Sequence, residues 1–385
     1  MYHPHTYTDS TRDAASQVPL TTQIDVRRNA DVPLASEKPP APQAIYAQLT
    51  STIVLMTGMS EQLPHLTAFP HALGTGLLLH TSDPVDNDLH ARIGSLIDEY
   101  ESALSRFRPD SPVSQMRMAE HGGTFDFPDQ CAGLFDLYDR LFEATEGAID
   151  PCVGEDLIRL GYDAKYSFAV SPDAFGYDSG ESHTGNAPNP GRLGAIHGRP
   201  TWRNDVQRHG TTLVTYRPIA LDFGACGKGY LVDLIAEILA PHTDAFVIDA
   251  GGDLLAHTTE PVTIALEDPA DPNRAVGTAA LSDGAFCASS PSRRHWGEVA
   301  GHALHHLLNA IDGLPVEDVA ATWVDVKQFD GGVSHPTAIA DGLATALFTT
   351  PAERLRRYFA FDCAILNADR TAARSPDFPG GFFTA

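Results

Sequence analysis

Lysine is nearly missing from this chain: only Lys38, Lys165, Lys228 and Lys327 occur among 385 residues, and 26 basic residues face 50 acidic ones. The net charge of −24 repels polyanions, which excludes nucleic acid and anionic lipid as expected partners. Cysteine is scarce too. Cys131, Cys152, Cys226, Cys287 and Cys363 are odd in number and scattered without a CxxC pair, which argues against a disulfide framework or a zinc site and for a reducing compartment. Long apolar runs are also lacking. Ile53–Met56 is too short to span a bilayer, and no basic start with an apolar stretch, and no Leu-x-x-Cys, opens the sequence. A cytoplasmic protein without a membrane span is the expectation.

What is present is enough apolar material for a sizeable core, 43% of the residues, in one large or two smaller domains. Residues 1–43 are polar and Pro-rich, with EKPPAP at Glu37–Pro42, and read as a disordered tail ahead of a folded unit over 44–385. Ser, Gly, Pro and Asn dominate 165–205, which reads as a long surface insertion. Leu89, Ile93, Leu96, Ile97, Tyr100 and Leu104 form one stripe, predicting a helix over Leu89–Leu104; a second is predicted over Cys131–Thr145. Further helices are expected at 228–240, 335–349 and 351–359, and strands at Thr75–His80, Ala245–Asp249, Val262–Leu266 and Ala320–Val326. Helices and strands alternate without a strict βαβ rhythm, so the class is α+β.

The segment Leu221–Asp233, LDFGACGKGYLVD, carries the strongest functional signal. A strand-like Ile219–Leu221 turns through Gly224, Gly227 and Gly229 into an amphipathic helix. Glycines at such a junction let the backbone approach a ligand, and the N–H groups of the helix start attract an anion. Asp222 and Lys228 flank the turn. The spacing matches neither GxxxxGK(S/T) nor GxGxxG, so neither a P-loop nor a dinucleotide fingerprint is read here. Farther on, Asp341 and Thr345 lie one turn apart on the predicted helix, opposite the apolar Ile339, Leu343, Ala346 and Leu347. A carboxylate and a hydroxyl so placed suit Mg²⁺, although the same pair also suits a solvated helix face. An anionic ligand held by so acidic a chain favours such a metal.

Taken in order, seven blocks resemble the FAD:protein FMN transferase (ApbE, flavin transferase) family. HALGT at His71–Thr75 looks like the family's AMGT, LSRFRPDS at Leu104–Ser111 like LSxYxxxS, and EGAIDP at Glu146–Pro151 like DGxxDxT. The glycine segment, AFVIDAGGD at Ala245–Asp253, ASSPSRRH at Ala288–His295 with HHLLN at His305–Asn309, and ADGLATAL at Ala340–Leu347 complete the series. The resemblance implies two lobes of mixed or antiparallel sheet with helices, T-fold-like, with an FAD groove between them. It implies FAD as substrate, Mg²⁺ held by Asp341, Thr345 and the Ala225 carbonyl, and a partner protein whose Thr or Ser receives FMN as AMP leaves. By the same likeness Asp222, Lys228, Leu73, Phe107, Ala148, Ile149, Asp150 and Leu308 contact FAD, and His306 is the general base, with His305 its rival. Asp341 counts as catalytic through the metal.

The sequence departs from the family at Phe107, where Tyr is usual, at Leu73, where Met is usual, and at Asn309–Pro315, NAIDGLP in place of DPxTGxP. The last change removes a proline and places Asp312 near the expected phosphate site. Mg²⁺-dependent hydrolysis of FAD, and FAD binding without transfer, are the alternatives.

Overall fold

The computed structural model describes residues 21–25, 59–176, 191–327 and 334–384. Its centre is a ten-stranded sheet. In chain order the strands are β1 (Thr21–Asp25), β2 (His65–Phe69), β3 (Leu77–Thr81), β4 (Phe246–Asp249) and β5 (Asp253–Asp268). There follow β6 (Asp271–Ser289), β7 (Val319–Lys327), β8 (Asp362–Asn367), β9 (Thr371–Arg374) and β10 (Gly380–Phe382). Their spatial order is β1-β9-β8-β7-β6-β5-β4-β3-β2, with β10 also on β6, and every pairing among the described residues is antiparallel.

Side chains alternate across the sheet as the pleat requires. On β7, Val324 and Val326 enter the larger core while Ala321 and Trp323 face the smaller one behind the sheet. Four helices cover the first face: α1 (Asn87–Leu104), α2 (Ala132–Ala144), α3 (Gly227–Leu239) and α4 (Pro336–Ala346). The α1 stripe is buried as expected, and Asp86 accepts the Leu89 N–H at 2.8 Å to cap its start. Each fully buried Leu or Ile there contributes roughly 1.5–3 kcal/mol. Against the sequence expectation, the helix at 351–359 shrinks to Ala352–Leu355, and Val262–Leu266 is only part of the sixteen-residue β5.

Two other expectations need correction. Within the stretch read as a disordered tail, Thr21–Asp25 forms a strand, pairing Ile24 with Ala372, because its extended, Thr-rich sequence can complete the open edge of β9. The rest of 1–43 lies outside the described residues. The 165–205 stretch is not all surface either: Leu193, Arg199 and Trp202 are buried, and Arg199 pairs with Asp156 at 2.6 Å. Residues 177–190 of it are outside the described residues.

One buried charge carries a pH prediction. Asp325 is 4% exposed, its Oδ2 has no hydrogen-bond partner among the described residues, and it faces Asp362 across the β7–β8 ladder. Burial pushes its carboxyl up to about 6, with Lys327 opposing and Asp362 adding. A folded-state value above the unfolded one means that the folded chain holds this proton more tightly, so stability is lost as pH rises through that window. Asp325→Asn is therefore expected to be more stable than the parent at pH 8, by about 2 kcal/mol, with the gain gone near pH 4. Urea titrations at the two pH values measure it, and an equal effect at both would refute the assignment.

Candidate active site

The glycine turn ends where α3 begins, at Gly227, and the first turn of α3 lies against the start of α4. Contact is so close that a Cβ on Gly229 would sit 2.3 Å from the Thr337 carbonyl oxygen. Gly229 N–H instead donates to Asp341 Oδ2 at 3.0 Å. A second tie runs the other way. Asp233 of α3 accepts the Thr337 and Ala338 N–H groups at 3.0 and 2.8 Å, supplying the cap that His335, in a left-handed conformation, does not.

These contacts bring Asp341 to the floor of a cavity of about 1000 Å³. Lys228 Nζ pairs with Asp253 Oδ2 and lies 3.4 Å from Asp341 Oδ1. Burial alone would lower the lysine's pKa, but Asp253 and Asp341 outweigh it and push it up. Burial, then Asp253, raises the Asp341 carboxyl to about 7, partly offset by Lys228 and the Gly229 N–H. The lysine is thus a fixed cation among carboxylates, with negative charge left over.

Thr345 Oγ1 lies 3.4 Å from the Ala225 carbonyl oxygen, and both line the cavity with Asp341. Among the described residues no group of three or more His, Cys, Asp and Glu is placed to hold a metal. The donors gathered here are instead one carboxylate, one hydroxyl and one carbonyl. Such a set of hard oxygens fits Mg²⁺, which keeps its other positions for water and phosphate. Asp253 shares the single cation Lys228 with Asp341, and its Oδ1 is buried with no hydrogen-bond partner among the described residues.

The other end of the cavity is aromatic. Arg106 lies 4.2 Å from the Phe107 ring centroid and 4.9 Å from that of Tyr162, while pairing with Asp222. Burial would raise the Asp222 carboxyl, yet Arg106, the Gly224 N–H at 2.7 Å and Arg294 hold it below the usual carboxylate range. Tyr166 stacks on Phe107 with centroids 5.3 Å apart and planes 7° from parallel. Tyr166 and Phe168, 51% and 47% exposed, extend this ring cluster to the mouth. Leu73 enters from the β2–β3 connection with φ of 54°, its N–H donating to Glu101 at 2.6 Å.

The twelve residues that the resemblance assigns to FAD, the metal or the base all line this one cavity. Their parts differ. Asp150 points its carboxylate at the N–H groups of Cys152 and Trp202 and lies 3.7 Å from Arg199, so it braces the Ala148–Asp150 turn. His306 and Leu308 line the cavity, whereas His305 turns away, its Nε2 on the Val316 carbonyl and its Nδ1 accepting the Leu307 N–H. Burial, with Arg294 next, drops His306 to about 3, so its imidazole is neutral. Its Nδ1 sits 3.4 Å from the Arg294 carbonyl oxygen, which assigns the proton to Nδ1 and leaves Nε2 as an acceptor. Asp312, expected near the phosphates, does not line the cavity: its Oδ1 accepts the Leu314 N–H.

Sequence reasoning missed Arg106, Asp253, Tyr162, Tyr166 and Arg294. Asp253 and Arg294 stood inside recognised blocks, and Arg106 occupies the variable position of LSxY, where a motif carries no information.

Residues 71–366 match the model of the ApbE family. The chain belongs to that family. An FAD:protein FMN transferase of Klebsiella pneumoniae (strain 342) is 22% identical over 277 residues, 70% of this chain and 73% of the relative. One from Treponema pallidum (strain Nichols) is 24% identical, over 75% and 80% of the two chains. The crystal structure of the ApbE protein of Thermotoga maritima superposes with a TM-score of 0.64 at 19% identity, covering 81% of this chain and 96% of the other. At that identity the superposition speaks for the fold, which this ApbE member shares.

Proposed function

We propose that the protein transfers FMN from FAD to a Thr or Ser hydroxyl of a partner protein and releases AMP. The observation that carries the reading is the convergence of the family's motif positions on one cavity, with a cation and a hard-oxygen donor set at one end and aromatic rings at the other. Relatives named for this activity cover most of the chain. Bound at Asp341, Thr345 and the Ala225 carbonyl, Mg²⁺ would neutralise charge on the phosphates. Lys228 holds Asp341 and Asp253 in place and offsets their charge. His306 accepts the hydroxyl proton at Nε2 as that oxygen bonds to the FMN phosphorus and the bond to the AMP oxygen breaks. Tyr166, half exposed at the mouth and backed by Phe107, offers its outer ring face to a planar group of FAD. Five free cysteines, all buried, suit a reducing interior, and we place the protein in the cytoplasm. Among the described residues no helix is long and apolar enough to cross a membrane.

Incubation with FAD and Mg²⁺, with and without a Thr-bearing peptide, tests the proposal. AMP released only with peptide supports transfer. AMP without peptide means hydrolysis, and no AMP means a binding protein. His306→Ala is expected to slow transfer by about 100-fold or more while FAD affinity stays within about twofold. A matching loss of affinity would make His306 a binding or packing residue instead.

A further inference from the structure

The cavity must receive an anion in a protein of net charge −24, yet nearly all its cations are already engaged. Arg106 is turned into the wall, on Asp222 and the Tyr162 carbonyl. Lys228 is held by Asp253 and Asp341. Arg293 pairs with Glu267. Arg294 differs: it lines the cavity, and its guanidinium makes no ion pair or hydrogen bond among the described residues.

Its backbone, by contrast, is fixed. The Arg294 N–H donates to the Pro291 carbonyl at 3.1 Å, closing a turn that Ser290 ties to Ala320 at 3.0 Å. The Arg294 carbonyl is the partner of His306 Nδ1. A rigid main chain therefore seats an unengaged cation next to the proposed base. Its charge is felt across the cavity: it helps to lower the carboxyl of Asp222 and the imidazole of His306, and opposes the upward shifts of Tyr162 and Lys228.

We propose that Arg294 grips the FMN-side phosphate of the bound dinucleotide, the phosphate that the acceptor hydroxyl attacks, rather than the phosphate of the departing AMP. The inference rests on the FMN-transfer reading above. Its ground is adjacency: the main chain that carries Arg294 also orients His306, and the proton acceptor must stand beside the phosphorus under attack. A guanidinium on a phosphate oxygen forms a charge-assisted, often bidentate contact, so its removal is expected to weaken binding about 10- to 100-fold. It also supplies positive charge that stays in place as the negative charge moves to the leaving oxygen.

The experiment is a calorimetric titration of the full-length protein and its Arg294→Ala, Arg294→Lys and Arg293→Ala variants with FAD, FMN, riboflavin and AMP, each in Mg²⁺. For Arg294→Ala, FAD and FMN are expected to weaken about 10- to 100-fold, with riboflavin and AMP within about twofold of the parent. Arg294→Lys recovers part of the loss, since the charge returns without the fork. Arg293→Ala, whose side chain is engaged by Glu267, shows no phosphate-selective loss. Equal weakening of riboflavin and FMN by Arg294→Ala would mean a merely structural role and overturn the proposal. Unchanged FMN binding, or loss confined to AMP, would overturn it as well. A parent protein that binds no flavin nucleotide at all would instead sink the transfer reading itself, so the two failures are distinguishable.

Discussion

Asp341→Asn is expected to lower Mg²⁺-dependent FMN transfer about 1000-fold while leaving the metal-free protein at least as stable as the parent. The two effects have opposite causes in one group. The carboxylate is 2% exposed and lies near Asp253, whose own Oδ1 is buried and unpaired, so without a dication its charge is unfavourable where it sits. Asn keeps an oxygen for the Gly229 N–H, which preserves the tie between the helices, but it removes the only anionic donor of the proposed metal set. Loss of an anionic ligand weakens metal binding, and the metal supplies several kcal/mol of charge stabilisation in phosphoryl transfer. With the proposed metal at this carboxylate, proton and metal would compete for it, so the Mg²⁺ needed for half-maximal rate is expected to rise as pH falls below about 7. Rates against Mg²⁺ concentration and metal-free melting curves measure both. Unchanged rates at limiting Mg²⁺, or a melting point lower by more than about 4 °C, would show that Asp341 is structural.

The second large effect is on folding. Gly229→Ala is expected to destabilise the protein by about 3 kcal/mol, because the added Cβ would stand 2.3 Å from the Thr337 oxygen and 2.9 Å from the Ala338 nitrogen. Both are backbone atoms in the first turn of α4, where no rotamer can yield. The helices must separate, and the Gly229–Asp341 and Asp233–Thr337 hydrogen bonds lengthen with them. Gly227, two residues earlier, is the natural control. A Cβ there meets the Tyr100 hydroxyl at 3.4 Å and Phe223 at 3.6 Å, both close to ordinary contact, so Gly227→Ala is expected to change stability by under about 1 kcal/mol. Chemical denaturation of both variants separates a close crossing of helices from a general intolerance of substitution in the glycine turn. Similar midpoints for the two would contradict the packing described here.

Much of this was legible in the sequence, for identifiable reasons. Leu89 through Leu104 repeat at the helical period, and α1 follows within two residues of expectation. Asp341 and Thr345 are four apart, and both reach the cavity. The nineteen-residue β6 was not anticipated. Its sequence, DPNRAVGTAALSDGAFCAS, carries Pro, Asn, Gly and Asp along much of its length, and only its pairing to β5, β7 and β10 holds it extended. Nor could β1 be seen, since its partner β9 lies near the other end of the chain and local pattern says nothing of it. The aromatic approach escaped for the same reason. Tyr166 was read as part of a surface insertion, and only the fold lays its ring on Phe107.

The carboxylate of Asp233 has one more consequence. Helix α4 has no N-terminal cap of its own, so its leading N–H groups are satisfied only while α3 is docked. Neither element can fray alone without orphaning the other's polar groups. Amide protons of residues 338–346 and 230–239 should then exchange with solvent through one shared opening event, and the floor of the cavity is gained or lost whole.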